Sequence, residues 1–477
     1  MTLVAINSKI IKASVWNIIG TFLLKAISFL SVPIFTRLMS QDDYGYISTY
    51  TTYISFMGIV VGLGLNTAIF NARMDFEDRF NDYNSSIIKA AGVVCVSEVI
   101  IANLISSWIC PPLGLNRLYL NLIIAISFAE YVVNSYYKIN TVDFKFKKNV
   151  VFSILNSLFN ISLSTFFILL FNDDILGKLL GQSLFIVVLA LVVFYLIAFK
   201  RANTFKFSDV QYSLKVGIPN IFHQFSQLIM SQSDRVMILH FISAAATAKY
   251  SVVYTYALVI QMLWNAINEV WVPWLYRKIK IGANEVIIKY SKYYVMIFAI
   301  LAGICMLIMP DFMFILAPDS YSDSKDIISI VILATFFLYL YSFFVNLELY
   351  HKKNQFTAIA TLFAALVNII GNAILIPMFG YKAAAYTTLG AYLFLMLIHY
   401  LITDRILKIN IYSISFFAPY SAFVCIMAII ANSLLEAPVI RWGIVFVIIF
   451  IGLLYIKKNF VYISRAIKEI RSKKDGK

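Results

Sequence analysis

Polar and charged side chains recur at helical spacing inside the apolar stretches of this sequence. In residues 12–36 five of them follow each other at steps of three or four, which places them on one face of a helix: Ser14, Asn17, Thr21, Lys25 and Ser28. A charged side chain near the middle of an apolar span costs roughly 2.5–3.5 kcal/mol on the membrane-insertion scale. We therefore expect Lys25 to face either a wet cavity or a structural partner such as Glu98 or Glu130.

A second polar face follows six apolar stretches later. Its residues are Asn220, Gln224, Gln227, Ser231 and Asp234, with His223 and Arg235 beside them, and the next stretch continues with Gln261, Asn265 and Asn268 or Glu269. Asp234 and Arg235 point about 100° apart on a helix, so they need not pair with each other. Hydrogen bonding between packed helices explains one such face. Two polar faces that lie six stretches apart instead indicate the two walls of one cavity. The side chains of these walls supply amide and hydroxyl groups.

Carboxylates inside the apolar stretches form a third group of candidates. Glu98 and Glu130 lie in the third and fourth stretches, and Glu130 is in line with Ser127 and Asn134. An intramembrane carboxylate can carry a proton or a sodium ion that drives transport, whereas pairing with Lys25 or with a hydroxyl is the simpler alternative. Our candidates for ion coupling are Glu98, Glu130, Asp234 and Glu269.

The composition assigns the chain to the membrane. It has 477 residues, of which 61% are hydrophobic and only 13% are charged, with 40 Phe and 30 Tyr. The apolar content exceeds that of ordinary soluble domains, and the alternating ten-residue segments of an outer-membrane barrel are missing. We therefore predict an all-α integral membrane protein.

Fourteen stretches are long enough to span a bilayer, which takes about 20 mostly apolar residues. They cover residues 12–36, 45–70, 86–110, 117–138, 150–171, 175–199, 215–240, 249–275, 290–310, 326–349, 356–377, 381–403, 413–433 and 438–456. Basic residues concentrate in alternate connections, which by the positive-inside rule predicts that both termini are cytoplasmic. The Lys and Arg expected on the outer side are Arg37, Arg117, Lys178, Lys249, Lys325, Lys382 and Arg441.

The net charge of +15 therefore reports membrane topology. We expect the basic tail at residues 457–477 to lie along an anionic inner leaflet, and we predict no nucleic-acid partner.

No catalytic, metal or cofactor site is predicted. P-loop, HExxH and GxSxG motifs are missing, and no connection is long enough to hold a folded domain. The cysteines form no CxxC pair, and we expect them and two histidines to be mainly packing residues: Cys95, Cys110, Cys305, Cys425, His223 and His399. The sequence therefore favours a transporter over an enzyme.

An internal repeat relates the two polar faces. The stretch PIFTRLMSQDDYG at 33–45 leads into a Tyr-rich helix, and DRVMILHFISAAATAKYSVVYTYAL at 234–258 has the same order of arginine, apolar residues, short turn and Tyr-rich helix. The repeat predicts two lobes of six helices around a central cavity, plus two added helices. We assign the N-lobe to 1–208, the C-lobe to 209–405, and the last two spans with the tail to 406–477.

Three further motifs follow PIFTRLMSQDDYG along the sequence: VGIPNIFHQFSQLIMSQSDRVMIL at 216–239, NEVWVPWLY at 268–276 and NIIGNAILIPMFGYKAAAYTTLGAY at 368–392. Together the four resemble the bacterial polysaccharide transporters, the O-antigen repeat-unit flippases of the multidrug/oligosaccharidyl-lipid/polysaccharide exporter superfamily. The resemblance implies translocation of an undecaprenyl-diphosphate-linked oligosaccharide, used in lipopolysaccharide biosynthesis, from the inner to the outer leaflet of the bacterial cytoplasmic (inner) membrane by alternating access. It also implies membrane lipids, a polysaccharide polymerase and a chain-length regulator as partners.

Under this resemblance the substrate-binding candidates are Lys25, Arg37, Asn220, Gln224, Gln227, Ser231, Arg235 and Asn265. Arg37 is equally suited to anchor its helix at the membrane boundary, and Asp42 and Asp43 are expected to cap the next helix. Two alternative functions remain open: a multidrug or cation antiporter of the same superfamily, and a membrane-embedded polysaccharide polymerase.

Overall fold

The computed structural model describes residues 26–452 together with Gly20, Leu23, Leu24 and Leu454. Fourteen helices of this part of the chain are labelled in chain order. They are α1 Ala26–Leu38, α2 Gln41–Gly62, α3 Phe80–Leu104, α4 Arg117–Val142, α5 Phe146–Leu170, α6 Asp174–Tyr195, α7 Phe207–Phe241, α8 Ala244–Lys280, α9 Asn284–Ile308, α10 Ile328–Tyr350, α11 Asn354–Phe379, α12 Ala383–Leu401, α13 Ile414–Ser433 and α14 Pro438–Gly452. Lys25 and the basic tail at 457–477 lie outside the described residues.

Nine helices in the described part are long and apolar enough to cross a membrane. A tenth span results if α2 and the helical segment Leu65–Asp75, which meet at a 66° bend, count as one. α7 and α8 contain 35 and 37 residues, but polar residues interrupt their apolar sequence and they are not among the nine. The all-α membrane fold is thus confirmed, while the count of fourteen spans stays a prediction.

The hydrophobic core is divided between the two halves of the chain. One large buried cluster joins helices α8 to α13 and includes Phe298 and Phe336. Three smaller clusters lie mainly within the first half, and they contain Val132, Tyr50 and Ile124 respectively. Because lipid is itself apolar, these clusters stabilise the bundle through close packing rather than through removal from water.

The sixth helix of each half ends in the same way. α6 passes into a π-helical turn at Leu196–Lys200, and α12 passes into one at Ile402–Ile406. π-helical turns are rare, so their matching positions agree with the predicted repeat of six helices. α7 packs on both halves, since Val210 joins a cluster of the first half and Met230 joins that of the second. The lobe boundaries themselves remain predictions.

Candidate functional site

A central cavity of about 1060 Å³ lies between the two halves of the bundle. Its walls come from α2 and α4 in the first half and from α7, α8, α10 and α12 in the second. The polar residues lining it are Tyr44, Ser48, Thr51, Thr52, Ser55, Asn66, Ser127, Glu130, Tyr131, Asn134, Tyr137, Lys138, Thr141, His223, Gln224, Gln227, Ser231, Gln232, Arg235, Ser251, Tyr254, Thr255, Gln261 and Tyr392. Most of these side chains carry hydroxyl or amide groups, so the lining suits a solute with many hydrogen-bonding groups.

The predicted polar face of α7 lines the central cavity over most of its length. The residues that do so at helical spacing are Gln224, Gln227, Ser231 and Arg235. Nε of Arg235 donates to Oγ of Ser251 at 3.2 Å, and its guanidinium lies 5.0 Å from the ring centre of Tyr254. No carboxylate of the described residues forms an ion pair with Arg235, so its charge is available to an anion.

A second cation of the central cavity, Lys138, was not predicted from the sequence. Lys138 lies at the end of a predicted span, where charge counting assigns it to the membrane boundary. In the structure its Nζ donates to Oδ1 of Asn66 at 2.8 Å and to the Asn66 carbonyl at 3.2 Å. Asn66 follows a turn in which Leu63 and Gly64 have φ values of 43° and 62°. The sequence contains one indication of this position: Lys138 follows Glu130 and Asn134 at steps of four, which places all three on the same face of α4.

The four ion-coupling candidates occupy different surroundings. Glu130 lines the central cavity, and no hydrogen bond or ion pair joins it to another described residue. Glu98 lies outside the cavity on α3, and both of its carboxylate oxygens are buried without a partner in the described part of the chain. Glu269 is exposed on α8 and does not line the cavity.

Asp234 turns away from the central cavity and is fully buried. Its carboxylate accepts hydrogen bonds from the Tyr250 hydroxyl at 2.5 Å, from Nδ2 of Asn372 at 2.6 Å and from Oγ1 of Thr388 at 2.8 Å. These donors come from α8, α11 and α12, which meet α7 here. Because neighbouring positions on a helix diverge by about 100°, Arg235 faces the cavity while Asp234 faces this junction.

Three predicted substrate-binding residues do not line the central cavity in this structure. Asn220 is exposed, and its amide donates to a carbonyl of the preceding turn of α7 at 3.0 Å. Asn265 is exposed on α8, whereas Gln261, one turn earlier, lines the cavity. Arg37 lies at one end of the bundle, as described next. Lys25 falls outside the described residues.

Arg37 takes part in a set of contacts between the two halves that we call the latch. The latch consists of Thr36, Arg37, Gln41, Asp42 and Gly45 on one side, and of residues 314–320 and the start of α8 on the other. NH2 of Arg37 donates to the Phe314 carbonyl at 2.5 Å, and NH1 donates to the Ile315 carbonyl at 3.1 Å. Oγ1 of Thr36 donates to the Leu316 carbonyl at 2.7 Å, and Nε2 of Gln41 donates to the Ser320 carbonyl at 2.8 Å.

The start of α2 completes the latch. Oδ1 of Asp42 accepts the backbone N–H of Ala245 at 2.9 Å, in the first turn of α8, where a helix favours a negative charge. A Cβ atom on Gly45 would lie 1.9 Å from the Ala244 carbonyl oxygen, so only glycine permits this approach. The cap of α2 is Ser40, whose Oγ accepts the Asp43 N–H at 3.1 Å. The prediction that Asp42 and Asp43 cap this helix is therefore corrected.

The central cavity reaches toward the end of the bundle opposite the latch. Gly64, Asn66, Lys138 and Thr141 line it there, at or beyond the ends of α2 and α4. At the other end, the latch joins the two halves. The structure is thus closed at the latch end.

A buried acid and histidine pair lies outside the central cavity in the second half. Glu348 and His399 are both fully buried, and Oε1 of Glu348 lies 2.7 Å from Nδ1 of His399. Oγ1 of Thr357 donates to the second oxygen of Glu348 at 2.9 Å. The three residues connect α10, α11 and α12, so His399 acts here as a hydrogen-bonding link between helices.

Comparison with known proteins assigns this architecture to a family. The polysaccharide biosynthesis protein family matches residues 10–280. Protein 1 of the Lsg locus of Haemophilus influenzae is 22% identical over 424 residues, which cover 84% of this chain and 99% of that protein.

Several solved structures share the fold. The lipid II flippase MurJ in an inward closed conformation superposes with a TM-score of 0.68 and 15% identity, over 94% of this chain and 100% of that chain. A multidrug resistance MATE family transporter of the MOP superfamily, in an inward-facing conformation, superposes with a TM-score of 0.63 and 14% identity, over 85% and 98%. At these identities the likeness shows a common fold alone. Together with the family match over more than half of its length, it confirms the resemblance found in the sequence: this chain belongs to the polysaccharide biosynthesis protein family.

Proposed function

We propose that this protein is a flippase. It moves an undecaprenyl-diphosphate-linked oligosaccharide, such as an O-antigen repeat unit, from the inner to the outer leaflet of the bacterial cytoplasmic membrane. The observation that carries the proposal is the central cavity, which is large, rich in hydroxyls and amides, and lined by two cations that have no carboxylate partner among the described residues. The fold shared with a lipid II flippase supports it.

The cavity chemistry fits each part of such a substrate. The diphosphate is anionic and suits Arg235 and Lys138, because charge-assisted hydrogen bonds to phosphate oxygens are the strong ones. The glycan presents hydroxyls that suit Gln224, Gln227 and Ser231. Lys25 remains a candidate for the same role, and the lipid tail stays in the bilayer. After release outside, the repeat unit is available to a polysaccharide polymerase and its chain-length regulator.

Transport by this flippase is an alternation between two closures of the bundle. With both termini in the cytoplasm, the latch lies on the outer side and the central cavity extends toward the inside. The described state is then the one that receives substrate from the inner leaflet. Opening the latch, while the opposite ends of the lobes approach, would present the same cavity to the outer side.

Among the ion-coupling candidates we favour Asp234. Its oxygens accept hydrogen bonds from Nδ2 of Asn372 and Oγ1 of Thr388, which brings α7, α11 and α12 together around one fully buried carboxylate. Occupation of such a site by a proton or a cation changes how these helices pack. Glu130 is the second choice because it lies in the cavity itself.

The proposed direction of transport is tested in the source cell with the gene deleted. Polyprenyl-diphosphate oligosaccharides are extracted, and their leaflet is determined with a glycan probe that does not cross the membrane. Accumulation on the inner side with loss of surface polysaccharide supports the flippase. Repeat units that reach the outer side but stay unpolymerised would instead support the polymerase.

The role of the cavity cations is tested by complementation of that deletion. The double variant Arg235→Gln with Lys138→Gln should restore surface polysaccharide at least about tenfold less than the wild type, since about 1.4 kcal/mol of lost binding gives tenfold. Lys249→Gln is the matched control, because Lys249 pairs with Asp323 outside the cavity. Normal complementation by the double variant would refute the diphosphate role.

A second candidate function is drug or cation antiport. It is favoured by Glu130, an unpaired carboxylate in the central cavity, and by the fold shared with a multidrug transporter. Unchanged surface glycans with altered drug sensitivity in the deletion strain would support it over the flippase.

A further inference from the structure

A second polar pocket lies beside the central cavity, entirely within the first half of the bundle. It measures about 260 Å³ and is lined by residues of α1, α2, α5 and α6. At roughly 30 Å³ for each water, it has room for about nine waters. Tyr44, Ser48 and Thr51 line both this pocket and the central cavity, so the two spaces share a wall of hydroxyl groups.

Lys178 is the charged residue of this pocket. Charge counting in the sequence assigns it to the outer membrane boundary, yet its side chain is only 8% exposed. Its Nζ donates to Oδ1 of Asn160 at 2.8 Å and to Oγ of Ser164 at 3.2 Å, and it lies 3.8 Å from the centre of the Phe35 ring. All three contacts are neutral groups.

No carboxylate of the described residues pairs with Lys178. The acidic groups nearest in sequence, Asp173 and Asp174, begin α6, and Asp173 is engaged with the Tyr119 hydroxyl and the Leu176 N–H. Burying a cation without a counterion is unfavourable, and cation–π and amide contacts compensate only in part. The pocket thus holds a buried amine whose charged form an anion would stabilise.

The position of Lys178 is fixed by close packing of α5 and α6. A Cβ atom on Gly177 would lie 2.8 Å from backbone atoms of Phe167 and Ile168, and one on Gly181 would lie 2.3 Å from the backbone of Ser164. These two glycines flank Lys178 and bring it against α5. The ammonium is therefore held in place before any ligand arrives, which lowers the entropic cost of binding.

We propose that this pocket is an anion subsite in which Lys178 binds a phosphate-type group. The amide of Gln182 on α6 supplies a further hydrogen-bond donor, while the hydroxyls of Ser48 and Thr51, which also line the pocket, donate to carbonyls of their own helix α2. The inference rests on the proposed flippase function: the shared wall connects the subsite to the central cavity, and Lys178 lies about 6 Å along α6 from its latch-side end. The subsite thus receives the substrate diphosphate on its way from the central cavity toward the latch end. A phospholipid headgroup offers the same chemistry, and the experiment separates the two sources.

The test measures binding of farnesyl diphosphate to the purified full chain in nanodiscs of zwitterionic lipid, with farnesol as the uncharged comparison. Every chain in this binding test, including the reference chain called wild type, also carries Arg235→Gln and Lys138→Gln, so that the cations of the central cavity do not bind the probe. Lys178→Gln should weaken farnesyl diphosphate binding at least about tenfold, with farnesol binding unaffected, and Lys178→Arg should retain most of the affinity. Lys249→Gln, which removes a surface ion pair, should bind as the wild type does. Equal affinity of the wild type and Lys178→Gln overturns the proposal.

Two further arms complete the experiment. In nanodiscs containing half phosphatidylglycerol, weaker farnesyl diphosphate binding by the wild type, but not by Lys178→Gln, identifies a lipid headgroup as an occupant and supports the anion subsite. No change in farnesyl diphosphate binding identifies the substrate diphosphate as the occupant.

Complementation of the deletion strain is scored separately. A wild type that restores surface polysaccharide while Lys178→Gln binds normally rejects the subsite and leaves the flippase intact, whereas a wild type that moves no repeat unit rejects the flippase itself.

Discussion

The latch controls how often the bundle opens at that end, and its hydrogen bonds allow the effect of a mutation to be worked out. The double variant Thr36→Val with Arg37→Gln removes the bond to the Leu316 carbonyl and the two bonds to the carbonyls of Phe314 and Ile315. Thr36 is 2% exposed, so its bond is worth about 1 kcal/mol. The Arg37 side chain is exposed, which reduces its charge-assisted bonds to about 1 kcal/mol in total.

A loss of about 2 kcal/mol changes the equilibrium between closed and open forms about 30-fold. A latch that is open in about 1% of wild-type molecules would then be open in about a quarter of the variant molecules. The change is large enough to see as a second population in a distance measurement.

The assay is pulsed electron paramagnetic resonance between spin labels on the two halves. The labels are placed at Asn172→Cys and Ser322→Cys, both exposed at the latch end, in a chain whose four native cysteines are replaced. The double variant should add a longer distance to the distribution. Lys382→Gln is the control, since its 2.7 Å ion pair with Asp326 lies within the second half. An unchanged distribution in the double variant would show that these bonds do not hold the latch.

Three other changes follow from the described contacts. Gly45→Ala places a Cβ 1.9 Å from the Ala244 carbonyl oxygen, so the same labels should report a widened latch, and wild-type distances would contradict this. Asp234→Ala removes the carboxylate that accepts from three buried donors and should destabilise the protein by about 3 kcal/mol or more, seen as a lowered thermal transition in detergent, with Asp234→Asn milder. Glu348→Ala leaves Nδ1 of His399 without its partner and should cost about 3 kcal/mol in the same measurement, whereas an equal loss in Glu348→Gln, which keeps the shape and an acceptor oxygen, would show that the carboxylate charge rather than the hydrogen bond matters.

Local periodicity was sufficient to predict the polar wall formed by α7. Gln224, Gln227 and Ser231 line the central cavity because residues three and four apart share a face of any α-helix. The same rule does not determine whether Asp234 or its neighbour Arg235 continues the polar face. The structure continues it through Arg235, since three helices supply hydrogen-bond donors around Asp234 and draw that carboxylate to the other side.

The sequence by itself determined the membrane class, the helical elements and the family, because these depend on composition, spacing and short motifs along the chain. Only the tertiary structure decided the surroundings of Arg37, Lys138 and Lys178. Charge counting treats a cation near a span end as a boundary residue, yet a long side chain at that position reaches either water or a neighbouring helix. Arg37 binds carbonyls 277 and 278 residues away, and Lys178 lies buried against α5. Which alternative holds depends on the packing of helices distant in sequence, and no local pattern contains that information.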